Sequence, residues 1–152
     1  MINISDREDI FKRLSLLRKD ENPKFGKMSA QHMVEHLILV VRISDEKEPH
    51  PLYYNEQKAA AIKNYTIHTE KEIIEGFRAP MLPPDPVVLK EPSLDAAIEK
   101  LKSELADFDA YFTSHPNATP TNPTMGPLTY NEWLIFHSKH FNHHFKQFNL
   151  LG

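Results

Sequence analysis

Nine histidines are spread over the 152 residues, and four of them, His137, His140, His143 and His144, crowd into one short stretch near the end. An imidazole can ligate a metal, move a proton near neutral pH, or serve as a polar edge in a core. Two histidines four apart on a helix can aim ring nitrogens at one ion, so His140 and His144 form a competent metal pair, with the spacing that helical zinc sites use. His137 and His144 stand two turns apart, about 10 Å along the axis, which is too far to share an ion. With no cysteine in the chain, zinc fingers, iron-sulfur clusters, disulfides and a cysteine nucleophile are excluded together.

The element that positions these rings reads clearly. Thr129 with Glu132 makes a capping box and Leu128 with Trp133 a hydrophobic staple, which predicts a last helix from Thr129 to about Phe148. Trp133, Leu134, Phe141, Phe145 and Phe148 mark its apolar face; His137, His140 and His144 lie within an arc of about 60° on one flank, and His143 lies off it. Three more helices are expected. Ser5 with Glu8 opens one over about Asp6 to Lys19. Ser29, with Met28 and Met33 as a staple, opens a second to about Asp45. Pro92-Ser93 opens the third, where Leu94, Ile98, Leu101, Leu105, Phe108 and Phe112 alternate spacings of four and three, as in a packed bundle.

A third ligand has to come from another helix, and the second helix offers His32 and His36. If a long connection lets the third helix run parallel to the second and the shorter connections reverse direction, the second and last helices are antiparallel. His36 then sits about 10 Å from one end of the bundle, and the midpoint of His140 and His144 about 9 Å from the same end. The matched levels rank His36 ahead of His32, which lies a turn nearer the end. A histidine beside an aromatic face also has the plainer reading of a hydrogen-bonded core residue. His32, His50, His68, His115 and His143 are read as solvent-facing or loop residues. Gln147, three residues past His144, suits either a hydrogen bond to that ring or an ordinary exposed position.

Between the second and third helices some 45 residues hold seven of the twelve prolines, too long a stretch for an inert turn. It reads as a crossover or an active-site cover, with short helices at Glu56 to Asn64 and after Thr69. Its Leu52, Tyr53, Tyr54, Ile73, Ile74, Phe77 and Met81 predict that Glu48 to Glu91 is ordered and walls a pocket near His36. The four prolines between His115 and Pro127 predict a stiff extended loop, and no strand alternation long enough for a sheet is present. Phe25 to Ser29 and Met125 to Thr129 echo each other, either as a trace of duplication or as two glycine loops ending in a staple and a cap. Eighteen basic against twenty-one acidic residues give a net charge of −3 without blocks, which argues against a nucleic-acid partner. No apolar run approaches a membrane span and no secretory leader is apparent, so a cytoplasmic single domain over residues 1–152 is expected. The apolar second helix, with Met33, Val34, Leu37, Ile38, Leu39, Val40, Val41 and Ile43, suggests a homodimer.

The entry Gly26-Lys27-Met28-Ser29 leading to Glu35-His36-Leu37, and the last helix with Glu132-Trp133 and then His140-Phe141-Asn142-His143-His144-Phe145-Lys146-Gln147-Phe148, resemble the DinB-like (YfiT-like) metalloenzyme superfamily. Within it the match is to a bacterial branch with a histidine-rich last helix. The resemblance implies an all-α four-helix bundle with a long crossover between helices two and three. It also implies one divalent ion on one histidine of helix two and two of helix four, which fall here on His36, His140 and His144. Zinc or nickel is expected first, iron or manganese next. Three neutral imidazoles leave a coordination position open, which suits a metal-dependent hydrolase or a thiol-dependent transferase acting on a small molecule. The alternative is a non-catalytic metal- or ligand-binding bundle: a sensor, carrier or interaction module. No general base is assigned: Glu35 points about 100° away from His36, and Tyr53, Tyr54 and Glu56 qualify only if the crossover folds over the ion. Occupancy is expected to fall as the pH drops through the ~6.5 region where free histidine protonates.

Overall fold

The computed structural model describes residues 1–152. The chain is mostly helical: α1 (Arg7–Leu14), α2 (Ala30–Ser44), α3 (Glu56–Ile67), α4 (Leu94–Ser114) and α5 (Tyr130–Gln147), with two-residue strands β1 (Thr121–Asn122) and β2 (Gly126–Pro127) between α4 and α5. Local capping sets most of these starts. Ser29 accepts from the His32 amide, Ser93 from Ala96, Asn55 from Lys58, and Thr129 and Glu132 close a reciprocal capping box. The two echoing segments share one local solution. Gly26 and Gly126 both take left-handed backbone angles, φ +78 and +83, before the chain enters a capped helix.

Side-chain contacts fix the helix directions. Gln31 bonds the Glu91 carbonyl just ahead of α4, Arg42 reaches Glu104, and Lys47 reaches Asp107, so α2 and α4 run parallel. His36 meets His140 while Ser44 meets His137, the reverse order, so α2 and α5 are antiparallel. A continuous core of 26 buried residues runs from Ile2 to Leu150 and is built around Phe108, Trp133, Phe141, Phe145 and Phe148. The α3 helix packs against α5 and the β-ribbon. Inside α4 the buried carboxylate of Glu104, 1% exposed, is met by Arg42, Lys47 and Lys100 at 3.2 to 3.3 Å, so this charge is compensated from three sides.

Four expectations change. The first helix is capped by Asp6, whose side chain accepts from the Asp9 amide, not by Ser5 with Glu8, and it ends at Leu14, not near Lys19; Leu17 stays buried by means of a turn in which its amide bonds Leu14, with Leu16 exposed. On α4 Ala97 is fully buried together with Leu101, Leu105 and Phe108, while Ile98 is only partly covered. The capping pattern at Thr69 starts no helix: its hydroxyl donates to Tyr65 and accepts from Lys71, while the Glu72 carboxylate is engaged by Asn142 and Lys146 of α5. The chain is not wholly α-helical, because β1 and β2 pair in a short antiparallel ribbon. Asn122 holds that ribbon's turn by accepting from the Thr124 amide and hydroxyl and from the Met125 amide.

The crossover is ordered in part against the helices. Lys139 Nζ donates to the Thr66 and Thr69 carbonyls, the Tyr53 amide bonds Pro123, and Met81 packs on the core. Ile74, Phe77, Val87, Val88 and Leu89 stay exposed. Conversely, Met33, Val34, Leu37, Ile38, Val40, Val41 and Ile43 of α2 are buried within the one chain, and Leu39 is partly buried against the core. No helix is long and apolar enough to cross a membrane.

Candidate metal centre

Helix α2 carries His36 toward α5, where His140 and His144 lie one turn apart on the facing side. The Nε2 atoms of His36 and His140 are 3.0 Å apart, and those of His140 and His144 are 3.1 Å apart. The three rings meet edge to face, with centroids 4.7 to 4.9 Å apart. All three offer a ligand nitrogen within a span of 4.8 Å, an arrangement that could hold a divalent metal ion. Ligands at right angles on an ion about 2.05 Å away would be about 2.9 Å apart, and in a tetrahedron about 3.3 Å, so the observed edges fall in the usable range.

The electrostatics suit that use. Burial lowers the pKa of His36 to about 4, with the nearby His143 adding to the effect. Burial lowers His140 and His144 well below the ordinary imidazole value, and each imidazole neighbour pushes them further in the same direction. Three neutral rings therefore face one another at neutral pH, with no positive charge to shed before a cation is bound. The sequence expectation of metal loss around pH 6.5 shifts to lower pH for this reason. No carboxylate bonds the three rings. On the flanks, Phe136 stacks on His140 with centroids 5.2 Å apart, and Nδ1 of His36 and of His140 is buried without a hydrogen-bond partner. His144 differs, since its Nδ1 lies 2.8 Å from Gln147 Oε1.

The remaining histidines have other work. His137 is fully buried among Phe108, Trp133, Phe136 and Phe141, and its Nε2 lies 2.9 Å from Ser44 Oγ. It is the hydrogen-bonded core residue of the plainer reading, and burial lowers its pKa to about 3. His32 is partly buried, holding the Ser29 hydroxyl at 2.6 Å and the Val87 carbonyl at 2.8 Å. His143 is not solvent-facing: its ring packs 5.2 Å from Phe25 and 5.0 Å from His144. His68 and His115 are exposed, and His50 bonds the Tyr53 hydroxyl. Tyr54 lies under Lys58, and Glu56 is exposed in the first turn of α3, so the crossover candidates for a general base have only local partners here.

A family model described as "Protein of unknown function (DUF1569)" matches residues 1–150. The chain belongs to the DUF1569 family. No curated protein and no solved structure matches it.

Two contributions to the site were not read from the sequence. Glu35 accepts from the Lys90 and Glu91 amides at 2.7 and 3.2 Å and from Gln31 at 2.9 Å, which pins the end of the crossover onto α2 beside His36. The Phe25 carbonyl receives Gln147 Nε2 at 2.8 Å. For the second, the left-handed Gly26 next in sequence was the available signal; the first depends on a contact across 55 residues that no local pattern encodes.

Proposed function

We propose that this chain is a metalloprotein of the DinB-like four-helix-bundle type, in which His36, His140 and His144 hold one divalent ion for chemistry on a small molecule. The observation that carries the reading is the convergence of three buried, neutral imidazole nitrogens from two helices within 3.0 to 3.1 Å along the two edges that meet at His140. The helix directions support the bundle assignment, since α2 runs parallel to α4 across the long crossover and antiparallel to α5. Zinc or nickel suits an all-imidazole donor set, and iron or manganese is the next choice. When bound, such an ion acidifies a water or thiol and polarises a substrate oxygen, which is the chemistry of a hydrolase or a thiol-dependent transferase. The chain's own residues hold the ligand rings neutral and fasten the crossover beside them through Glu35 and His32.

One observation favours a second reading, a non-catalytic metal-binding module. His140 and His144 are only 8% and 6% exposed and Phe136 stacks on His140, which closes the cluster in where a substrate would have to reach it. Cytoplasmic location, and self-association as a homodimer without nucleic-acid or membrane partners, complete the proposal. Support for self-association now comes from the exposed Ile74, Phe77 and Val88 of the crossover, and light scattering at high micromolar concentration tests it.

Metal analysis of tag-free protein tests the site. His36→Ala, His140→Ala and His144→Ala should each lose stoichiometric metal, while His32→Ala, His137→Ala and His143→Ala keep it. Retention by the first set, or absence from the wild type after exposure to zinc or nickel, overturns the metal reading. Turnover of thioesters, amides or electrophiles with low-molecular-weight thiols, lost in the first set, separates the enzyme from the module.

A further inference from the structure

We propose that Gln147 is a positioning residue that fixes the tautomer of His144 and so presents its Nε2 lone pair to the centre of the histidine cluster. Gln147 is the last residue of α5 and 4% exposed, with both ends of its amide engaged. Nε2 donates to the Phe25 carbonyl at 2.8 Å. The reversed amide would set two oxygens, neither bearing a proton, against each other at that distance, so Phe25 decides which way the group faces. Oε1 is thereby turned to His144 Nδ1, 2.8 Å away. An amide oxygen only accepts, so Nδ1 must carry the proton. In a neutral ring the other nitrogen then bears a lone pair, and it faces His140 Nε2 at 3.1 Å.

The turn that supplies Phe25 is fitted to this amide. The Lys24 amide bonds the main-chain carbonyl of Gln147 at 2.8 Å, and Gly26 has φ +78, where a Cβ would lie 3.0 Å from Gln147 Nε2 and press on the side-chain amide. That turn leads directly into α2, which carries His36, so one short segment ties the two ligand-bearing helices together. His36 and His140 have no equivalent: their Nδ1 atoms are buried and unpartnered. With His144 locked, a single proton on His140 Nε2 cannot lie along both of its contacts, toward His36 and toward His144. A cation at the centre removes that conflict.

The consequence for metal rests on the proposed function, but the tautomer itself is read without metal. Long-range ¹H–¹⁵N NMR on the histidine-labelled, metal-free protein should show His144 protonated at Nδ1. Gln147→Leu removes both bonds and should move His144 toward the Nε2–H form. Gln147→Glu keeps an acceptor for Nδ1–H, and its second oxygen, buried against the Phe25 carbonyl, takes up a proton and donates to it, so the variant should preserve the wild-type tautomer. Zinc affinity, measured by chelator competition, should fall about 10- to 100-fold in Gln147→Leu and be largely rescued in Gln147→Glu. The inference is overturned by an Nε2–H His144 in the wild type, by an unchanged tautomer in Gln147→Leu, or by Gln147→Glu behaving as Gln147→Leu does. If Gln147→Leu does not fold, the wild-type spectrum and Gln147→Glu still decide. A wild type that shows the Nδ1–H tautomer and binds no zinc overturns the metal reading and leaves the positioning role standing.

Discussion

His137 should make the fold acid-sensitive by a calculable amount, and replacing it by phenylalanine should remove that amount. The Ser44 hydroxyl donates to the Val41 carbonyl at 2.6 Å, so its oxygen accepts from His137 Nε2–H, and Nδ1 is left buried without a partner. Protonating this ring in the folded state would place a charge among Phe108, Trp133, Phe136 and Phe141. Burial accordingly lowers its pKa from 6.5 to about 3. Between those values the unfolded chain binds a proton that the folded chain does not, so stability is full above pH 6.5 and falls as the pH drops, by about 1.4 kcal/mol per unit. From pH 7.5 to 5.0 this one group contributes a loss of about 2 kcal/mol. His137→Phe strands no donor, because Ser44 keeps its bond to Val41, and at pH 7.5 it forfeits one hydrogen bond worth about 1 kcal/mol. Urea unfolding of both proteins in chelator should show His137→Phe gaining about 2 kcal/mol relative to the wild type between pH 7.5 and 5.0. Parallel stability curves over that range would refute the buried neutral imidazole.

The same burial at the triad predicts that zinc-loaded protein keeps its metal at pH 6.0 and loses it only well below the ordinary imidazole range, since His36 accepts a proton near pH 4; loss with a midpoint at 6.5, followed by metal analysis after dialysis, would contradict it. Glu104→Ala leaves Arg42, Lys47 and Lys100 facing an empty position and should cost about 3 kcal/mol in urea unfolding. A change under 1 kcal/mol would mean that the cluster is held by something else. Glu35→Ala releases the Lys90 and Glu91 amides, so tryptic cutting after Lys90 should accelerate while the metal stoichiometry holds. An unchanged cutting rate would show that the clamp does not restrain the crossover.

What could be read from the sequence was what neighbouring residues decide among themselves. Ser29, Ser93 and Thr129 satisfy amides three residues on, and helices began where those patterns stood. Thr69 failed because Tyr65 and Lys71 engaged its hydroxyl and α5 took Glu72. Leu17 misled because a buried leucine past the end of α1 keeps the helical spacing while the backbone turns away. The triad was legible because two of its members share one helix and the third could be ranked by axial level, given parallel α2 and α4. His143 was misread because its helix position gives its direction and not its neighbours: Phe25 arrives from 118 residues earlier in the chain. The clamp at Glu35 and the orientation of Gln147 likewise depend on backbone groups of distant segments, which side-chain periodicity does not record.

Anomalous diffraction from crystals of the tag-free protein soaked with zinc, collected on both sides of the metal absorption edge, tests the central claim most directly. The account predicts one strong peak per chain about 2.0 to 2.2 Å from Nε2 of His36, His140 and His144, with His137 still on Ser44. A peak bound elsewhere, or no peak between three histidine rings that keep the positions described, would contradict it.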